Sequence, residues 1–146
     1  MTGEPVDGGG PRPEASPAPI RVLIVDDHAL VRTALAATLS DEDDLTVVGE
    51  CEDGSQVVEA AGRLQPDVVC MDLSMPIMDG LAATEALRAE RSEAHVVVLT
   101  AAPDSARVRA AAAGAAAVVP KEARADGLLR CLRTVALGGD GCPYCL

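Results

Sequence analysis

The sequence predicts an α/β fold: a doubly wound parallel sheet of five strands with helices on both faces. Two features carry this prediction. Short β-rich apolar runs alternate with helical segments from residue 20 to residue 139. The first run, IRVLIV at 20–25, is continuously apolar, as a strand buried on both faces must be.

The elements follow in order. Strand one covers 20–25 and ends on Asp26 and Asp27. Residues 29–39 form a helix, with Leu30, Ala34, Ala37 and Thr38 at helical spacing. A second strand is predicted at 46–51 and a second helix at 54–64. DVVCM at 67–71 is the third strand, broken by Asp72, and a helix follows at 81–88. HVVVLT at 95–100 is the fourth strand, followed by a helix at 104–113 with Gly114 as its carboxyl cap. Residues 116–119 form a short fifth strand. The last helix covers 122–137, with Leu128, Leu129, Leu132 and Val135 on one face and Gly138 and Gly139 as its stop. Residues 1–19 are rich in Pro, Gly, Ser, Ala and acids, lack apolar periodicity, and read as a disordered tail. The expected boundaries are therefore a tail at 1–19, one domain at 20–139 and a short tail at 140–146. No solenoid-period repeat interrupts this order.

Composition narrows the function classes. With no Phe, no Trp and one Tyr, the core must be aliphatic. A net charge of −11 argues against nucleic-acid binding by this chain, which would need a positive footprint. No apolar run reaches membrane-span length, and the amino terminus has neither the basic start nor the apolar middle of a signal peptide. The expected location is the cytoplasm. Cys51, Cys70 and Cys131 sit in apolar segments, as buried thiols do.

In parallel α/β sheets, ligands bind beyond the carboxyl ends of the strands. There this chain places Asp26 and Asp27 after strand one, Asp72 after strand three, Thr100 at the end of strand four and Lys121 after strand five. Singly, each has an ordinary use: Asp caps helices and turns, Thr suits strands, and Lys suits surfaces. Together, on one edge, they describe a site. Three carboxylates so placed repel one another unless a proton or a cation intervenes. Hard oxygen ligands favour Mg²⁺ over zinc. A carboxylate, a divalent cation, a hydroxyl and an ammonium around an open position suit phosphoryl transfer, with Asp72 as nucleophile.

The segments LIVDDHALVRTAL, VVCMDLSMPIMDG, VVVLTA and GAAAVVPKEA resemble the receiver domain of two-component response regulators. The VDDH opening is similar to the NarL/FixJ (LuxR-type) subgroup, and the resemblance covers residues 20–139. It implies a flavodoxin-like (CheY-like) fold with strand order 2-1-3-4-5. It also implies roles: Asp27 as a direct Mg²⁺ ligand, Asp26 through water, Asp72 as ligand and phosphoacceptor, and the Ser74 backbone carbonyl as the last protein ligand. Lys121 would bond phosphoryl oxygens, and Thr100 would turn its hydroxyl toward the phosphoryl group and report it to the surface. Pro76 would brace the loop after Asp72, and Gly80 would start the next helix. The donor would be a sensor histidine kinase or a small acyl phosphate. Catalysis would be limited to the chain's own aspartyl phosphorylation and dephosphorylation. The last helix would support a homodimer.

Three departures from that pattern stand out. Val118 occupies a position on strand five where the family usually carries an aromatic residue. Ile77 replaces the usual loop glycine, and would be strained if the loop needs a positive φ there. The helix-turn-helix domain typical of the subgroup does not follow within these 146 residues. Three other readings stay open: an aspartyl-phosphate phosphatase, a phosphate-independent pseudo-receiver, and the regulatory part of a DNA-binding transcription regulator. The phosphatases normally carry a DxD motif on strand one, where this chain has adjacent aspartates. His28 reads as a surface or packing residue, His95 as a strand-entrance residue, and Met71, Met75 and Met78 as packing. Cys142 and Cys145 have CxxC spacing, suggestive of a redox pair or half a zinc site, but no second pair completes four thiolates.

Overall fold

The computed structural model describes residues 18–146 except Pro76 and Asp140. Most of the expected amino-terminal tail, and the bracing role expected of Pro76, lie outside the described residues. The elements are β1 (Ile20–Val25), α1 (Ala29–Ser40), β2 (Leu45–Cys51), α2 (Val57–Leu64), β3 (Val68–Asp72), α3 (Gly80–Ala89), β4 (His95–Thr100), α4 (Pro103–Ala113), β5 (Ala117–Pro120) and α5 (Ala125–Ala136). All four strand pairings are parallel, in the order β2-β1-β3-β4-β5. This is the predicted architecture.

Alternation along the strands builds two cores. Val22 and Ile24, Val68 and Cys70, Val97 and Leu99, and Ala117 and Val119 face one side, where Leu128, Leu132 and Val135 of α5 and Leu39 of α1 cover them. Leu23 and Val25, Val69 and Met71, Val96 and Val98, and Val118 face the other, against Val57 of α2, Ala83 and Leu87 of α3 and Ala106 and Ala110 of α4. The strands read as continuous apolar runs because each face meets a helix layer. Alanines on α3 and α4 let those helices lie close to the sheet, which compensates for the missing aromatics.

Helix starts differ from the sequence reading where side chains compete for the backbone. The segment expected to be helical from Gly54 opens as a 3-10 turn over Gly54–Gln56, because the buried Asp53 carboxylate accepts the Ser55 N–H at 2.6 Å. The last helix begins at Ala125 rather than at 122. Lys121 N–H donates to the Thr100 carbonyl at 2.8 Å and Ala123 N–H to Pro120, so residues 121–123 remain a turn tied to the sheet. Gly114 and Gly138 take positive φ at the helix ends, as expected. The last residues of the segment expected to be a short carboxyl tail lie against the sheet. Ala117 forms an antiparallel bridge with Cys145, Val118 N–H donates to Tyr144 O at 3.0 Å, and Leu146 N–H donates to Ala116 O at 2.9 Å.

Two positions invite tests. Ile77 has φ +69 and is 85% exposed, so it bears the cost of a left-handed backbone and gains little burial. Ile77→Gly should stabilise the fold by roughly 0.5–1 kcal/mol, read by chemical denaturation. Arg133 on α5 bonds Asp44 at 2.7 and 2.9 Å and Glu42 at 2.7 Å, clamping α5 to the α1–β2 loop. The hydrogen bond from Arg133 and its charge hold the Asp44 carboxyl below its ordinary 3.8, against a smaller opposing effect of burial. A lowered folded pKa means the clamp contributes above about pH 3.8 and is lost as pH falls below it. Arg133→Ala should cost about 0.5–1 kcal/mol near neutrality, a difference that shrinks on acidification through that range.

Candidate functional site

The strand register brings the acids together. Val25 pairs with Met71, so Asp26 and Asp72 leave adjacent strands side by side. Asp72 pairs with Leu99, and Thr100 with Pro120, which extends the same edge to Thr100 and Lys121. The β1–β3 junction is the point where successive connections turn to opposite ends of the sheet, the expected place for a ligand.

Asp26 and Asp72 are each 1% exposed. One carboxylate oxygen each from Asp26, Asp27 and Asp72, together with a His28 ring nitrogen, lie within 4.8 Å of one another. Lys121 Nζ stands 2.9 Å from Asp72 Oδ1, and Ser74 N–H approaches the same oxygen at 3.4 Å. Asp26 Oδ1 accepts the His28 N–H at 2.8 Å. The second oxygens, Asp26 Oδ2 and Asp72 Oδ2, are buried with no hydrogen-bond partner. A buried carboxylate oxygen in that state is costly.

The electrostatics agree with the contacts. Burial pushes the Asp72 carboxyl up from its ordinary value, and the Asp26 charge adds to this. Lys121 acts in the opposite direction without offsetting them. For Lys121, burial is the largest single influence and opposes its charge, yet its hydrogen bond to Asp72 and the charges of Asp72, Asp26 and Asp27 together raise its pKa. One ammonium is thus too little positive charge for this cluster.

The supporting structure explains the positions. His28 is the residue before α1, and neither aspartate caps that helix. The capping use open to Asp26 from sequence is thereby replaced by a local turn to His28. Arg32 on α1 donates to the Asp26 carbonyl at 2.5 Å and to Glu50 Oε1 at 3.2 Å, anchoring the backbone under the acids. Gly80 starts α3, and a β-carbon there would come within 2.4 Å of the Asp72 carbonyl, so only glycine permits this approach.

The structure therefore brings together Asp26, Asp27, Asp72 and Lys121, all singled out from sequence. Ser74 joins through its N–H. Thr100 is buried on the neighbouring strand, where its Oγ1 accepts the Ala102 N–H at 3.1 Å. His28 was read as a surface or packing residue. It is indeed exposed, but its Nδ1 lies 3.1 Å from Asp27 Oδ1 and 3.4 Å from Asp26 Oδ1. Arg32 was not singled out; its position one helical turn after His28 was the only sequence signal. His95 opens β4 and Met71 is fully buried, as expected. Val118 is buried in the sheet. A larger surface hollow lies at the opposite end of the strands, between Gln65, Asp67, Arg91 and His95, away from the acids.

Comparison with known proteins bears on this geometry. The profile of the response regulator receiver domain matches residues 22–133. The transcriptional regulatory protein LiaR of Bacillus subtilis is 41% identical over 120 residues, covering 82% of this chain and 57% of its own length. The nitrate/nitrite response regulator NarL of Escherichia coli K12 is 35% identical over 121 residues, covering 82% of this chain and 56% of its own. The chain thus spans about half the length of these curated relatives. The signal receiver domain of the putative response regulator NarL from Mycobacterium tuberculosis superposes with a TM-score of 0.80 at 30% identity, covering 84% of this chain and 99% of that one. With the acidic edge, the five-stranded order and a match over most of its length, the chain belongs to the response regulator receiver domain family of two-component systems.

Proposed function

We propose that the chain accepts a phosphoryl group on Asp72 from a sensor histidine kinase. The observation that supports this best is the state of Asp72: one oxygen ion-paired to Lys121 at 2.9 Å, the other buried and unpartnered beside Asp26. The ion pair orients the carboxylate for attack. A carboxylate oxygen of Asp72 forms the new bond to phosphorus, and the phosphorus–nitrogen bond of the donor phosphohistidine breaks. Lys121 follows the charge onto the phosphoryl oxygens. Thr100, one strand away, is placed to exchange its Ala102 bond for one to the phosphoryl group.

The orphaned oxygens of Asp26 and Asp72, with Asp27 alongside, suit a hard divalent cation. We assign them to Mg²⁺, held by Asp26, Asp27, Asp72 and the Ser74 carbonyl. When bound, Mg²⁺ supplies the positive charge that Lys121 alone does not and steadies the transferring group.

The name of the Bacillus subtilis relative, a transcriptional regulatory protein, points to transcription regulation, and we propose that this chain is the signal-receiving part of such a regulator. With a net charge of −11, the segment itself does not bind DNA in this reading. Catalysis is confined to its own aspartyl group, in the cytoplasm. Among the described residues no helix is long and apolar enough to cross a membrane. Phosphorylation changes the surface of α4, β5 and α5, and favours a homodimer through α5.

Incubation with Mg²⁺ and acetyl phosphate, read by intact mass, should add one phosphoryl group, absent in Asp72→Asn and in EDTA. Lys121→Ala should slow the reaction by about 10²-fold. A folded protein that gains no mass would favour the phosphate-independent reading. In metal-free buffer near neutrality, Asp72→Asn should raise Tm, because it removes a buried carboxylate whose folded pKa is raised. Mg²⁺ should raise Tm in the wild type and much less in the variant.

A further inference from the structure

Outside the acidic site, the described residues hold a second cluster of reactive groups. Cys142 and Cys145 face each other with their sulfurs 3.0 Å apart. They close a turn in which Cys145 N–H donates to Cys142 O at 3.2 Å, with Pro143 at its second position. Cys142 is 7% exposed, whereas Cys145 is half-buried. From the second half of this turn onward, the chain lies along β5 through the Tyr144, Cys145 and Leu146 contacts to Val118, Ala117 and Ala116. Arg107 of α4 donates to the Cys145 carbonyl at 3.1 Å, and the Tyr144 ring stands against Gly127 of α5. The turn thus holds a strap across α4, β5 and α5.

We infer that Cys142 and Cys145 form a reversible thiol–disulfide site, oxidised by low-molecular-weight disulfides, whose closure fastens this strap to the edge of β5. The half-exposed Cys145 reacts first. Its thiolate attacks one sulfur of the small disulfide, forming a mixed disulfide and releasing one small thiolate. The Cys142 thiolate then attacks the Cys145 sulfur, closing the protein disulfide and releasing the second small thiolate. Two protein thiols are oxidised, one small disulfide is reduced to two thiols, and the two protons go to the released thiolates.

The surroundings divide the three nearby cysteines by role. Burial opposes a Cys142 thiolate, but hydrogen bonds from Cys145, Cys131 and the N–H groups of Tyr144 and Cys145 lower its pKa on balance. Cys131, fully buried on α5, is pushed up by burial and by its bond to Cys142, and stays a protonated donor. Cys51 and Cys70 are pushed up to about 11 and about 12 by burial, and remain inert. The site is independent of phosphoryl transfer at Asp72, although the strap lies on the face proposed to respond to it.

The test treats the full chain with oxidised glutathione, then denatures it and alkylates its thiols. The number of alkylated cysteines should fall by two from five, and peptide mapping should place the bond between Cys142 and Cys145. Cys142→Ser should stall as a mixed disulfide on Cys145, and Cys131→Ala should still close the bond. Amide exchange at Val118 should slow several-fold on oxidation and recover on reduction. Five alkylated cysteines, or a bond mapped to Cys131, would overturn the site. A closed disulfide with unchanged Val118 exchange would overturn the strap.

Discussion

The pairing of β1 with β3 is the constraint from which the rest follows. It seats Asp26 and Asp72 side by side at the carboxyl end of the sheet, each 1% exposed. No fold optimised only for stability would bury two neighbouring carboxylates and leave an oxygen of each unpaired. Lys121 answers part of that cost, and the remaining deficit of positive charge is the site's chemical character. Arg32 under the Asp26 backbone, Gly80 against Asp72 and the tie between Lys121 and Thr100 all hold this unfavourable arrangement in place.

The fold was legible in the sequence because its signals are local and repeated. Continuous apolar strands, helical spacing and glycine stops all point to one architecture. The site was legible for a related reason: its acids and lysine follow directly on strand ends, so knowing the strands gives the residues. His28 and Arg32 were less visible, since their roles depend on how α1 leaves β1. The 3-10 opening before α2 turns on a single bond from Ser55 to Asp53, which no periodicity announces. The contacts of the carboxyl segment were not visible because its partner, β5, lies more than twenty residues upstream. Ile77 shows the reverse case, where a glycine expected from family resemblance correctly located a positive φ.

The two faces of the sheet do different work. α5 with α1 covers one core, and the Arg133 clamp ties α5 to the loop before β2. α2, α3 and α4 cover the other with small residues. β5 joins the halves of the account: its carboxyl end carries Lys121 into the acidic site, and its open edge receives the strap from Tyr144 to Leu146. A change at Asp72 and a change at the cysteine turn therefore converge on one short strand.

The proposed chemistry requires that the acidic edge be short of positive charge and that a divalent cation supply it. Carbon-detected NMR titration of the Asp72 carboxyl, in metal-free buffer and in Mg²⁺, tests this most directly. The carboxyl should titrate above the ordinary 3.8 without metal and shift clearly downward on adding Mg²⁺. Titration at or below 3.8 in metal-free buffer, unmoved by Mg²⁺, would contradict it.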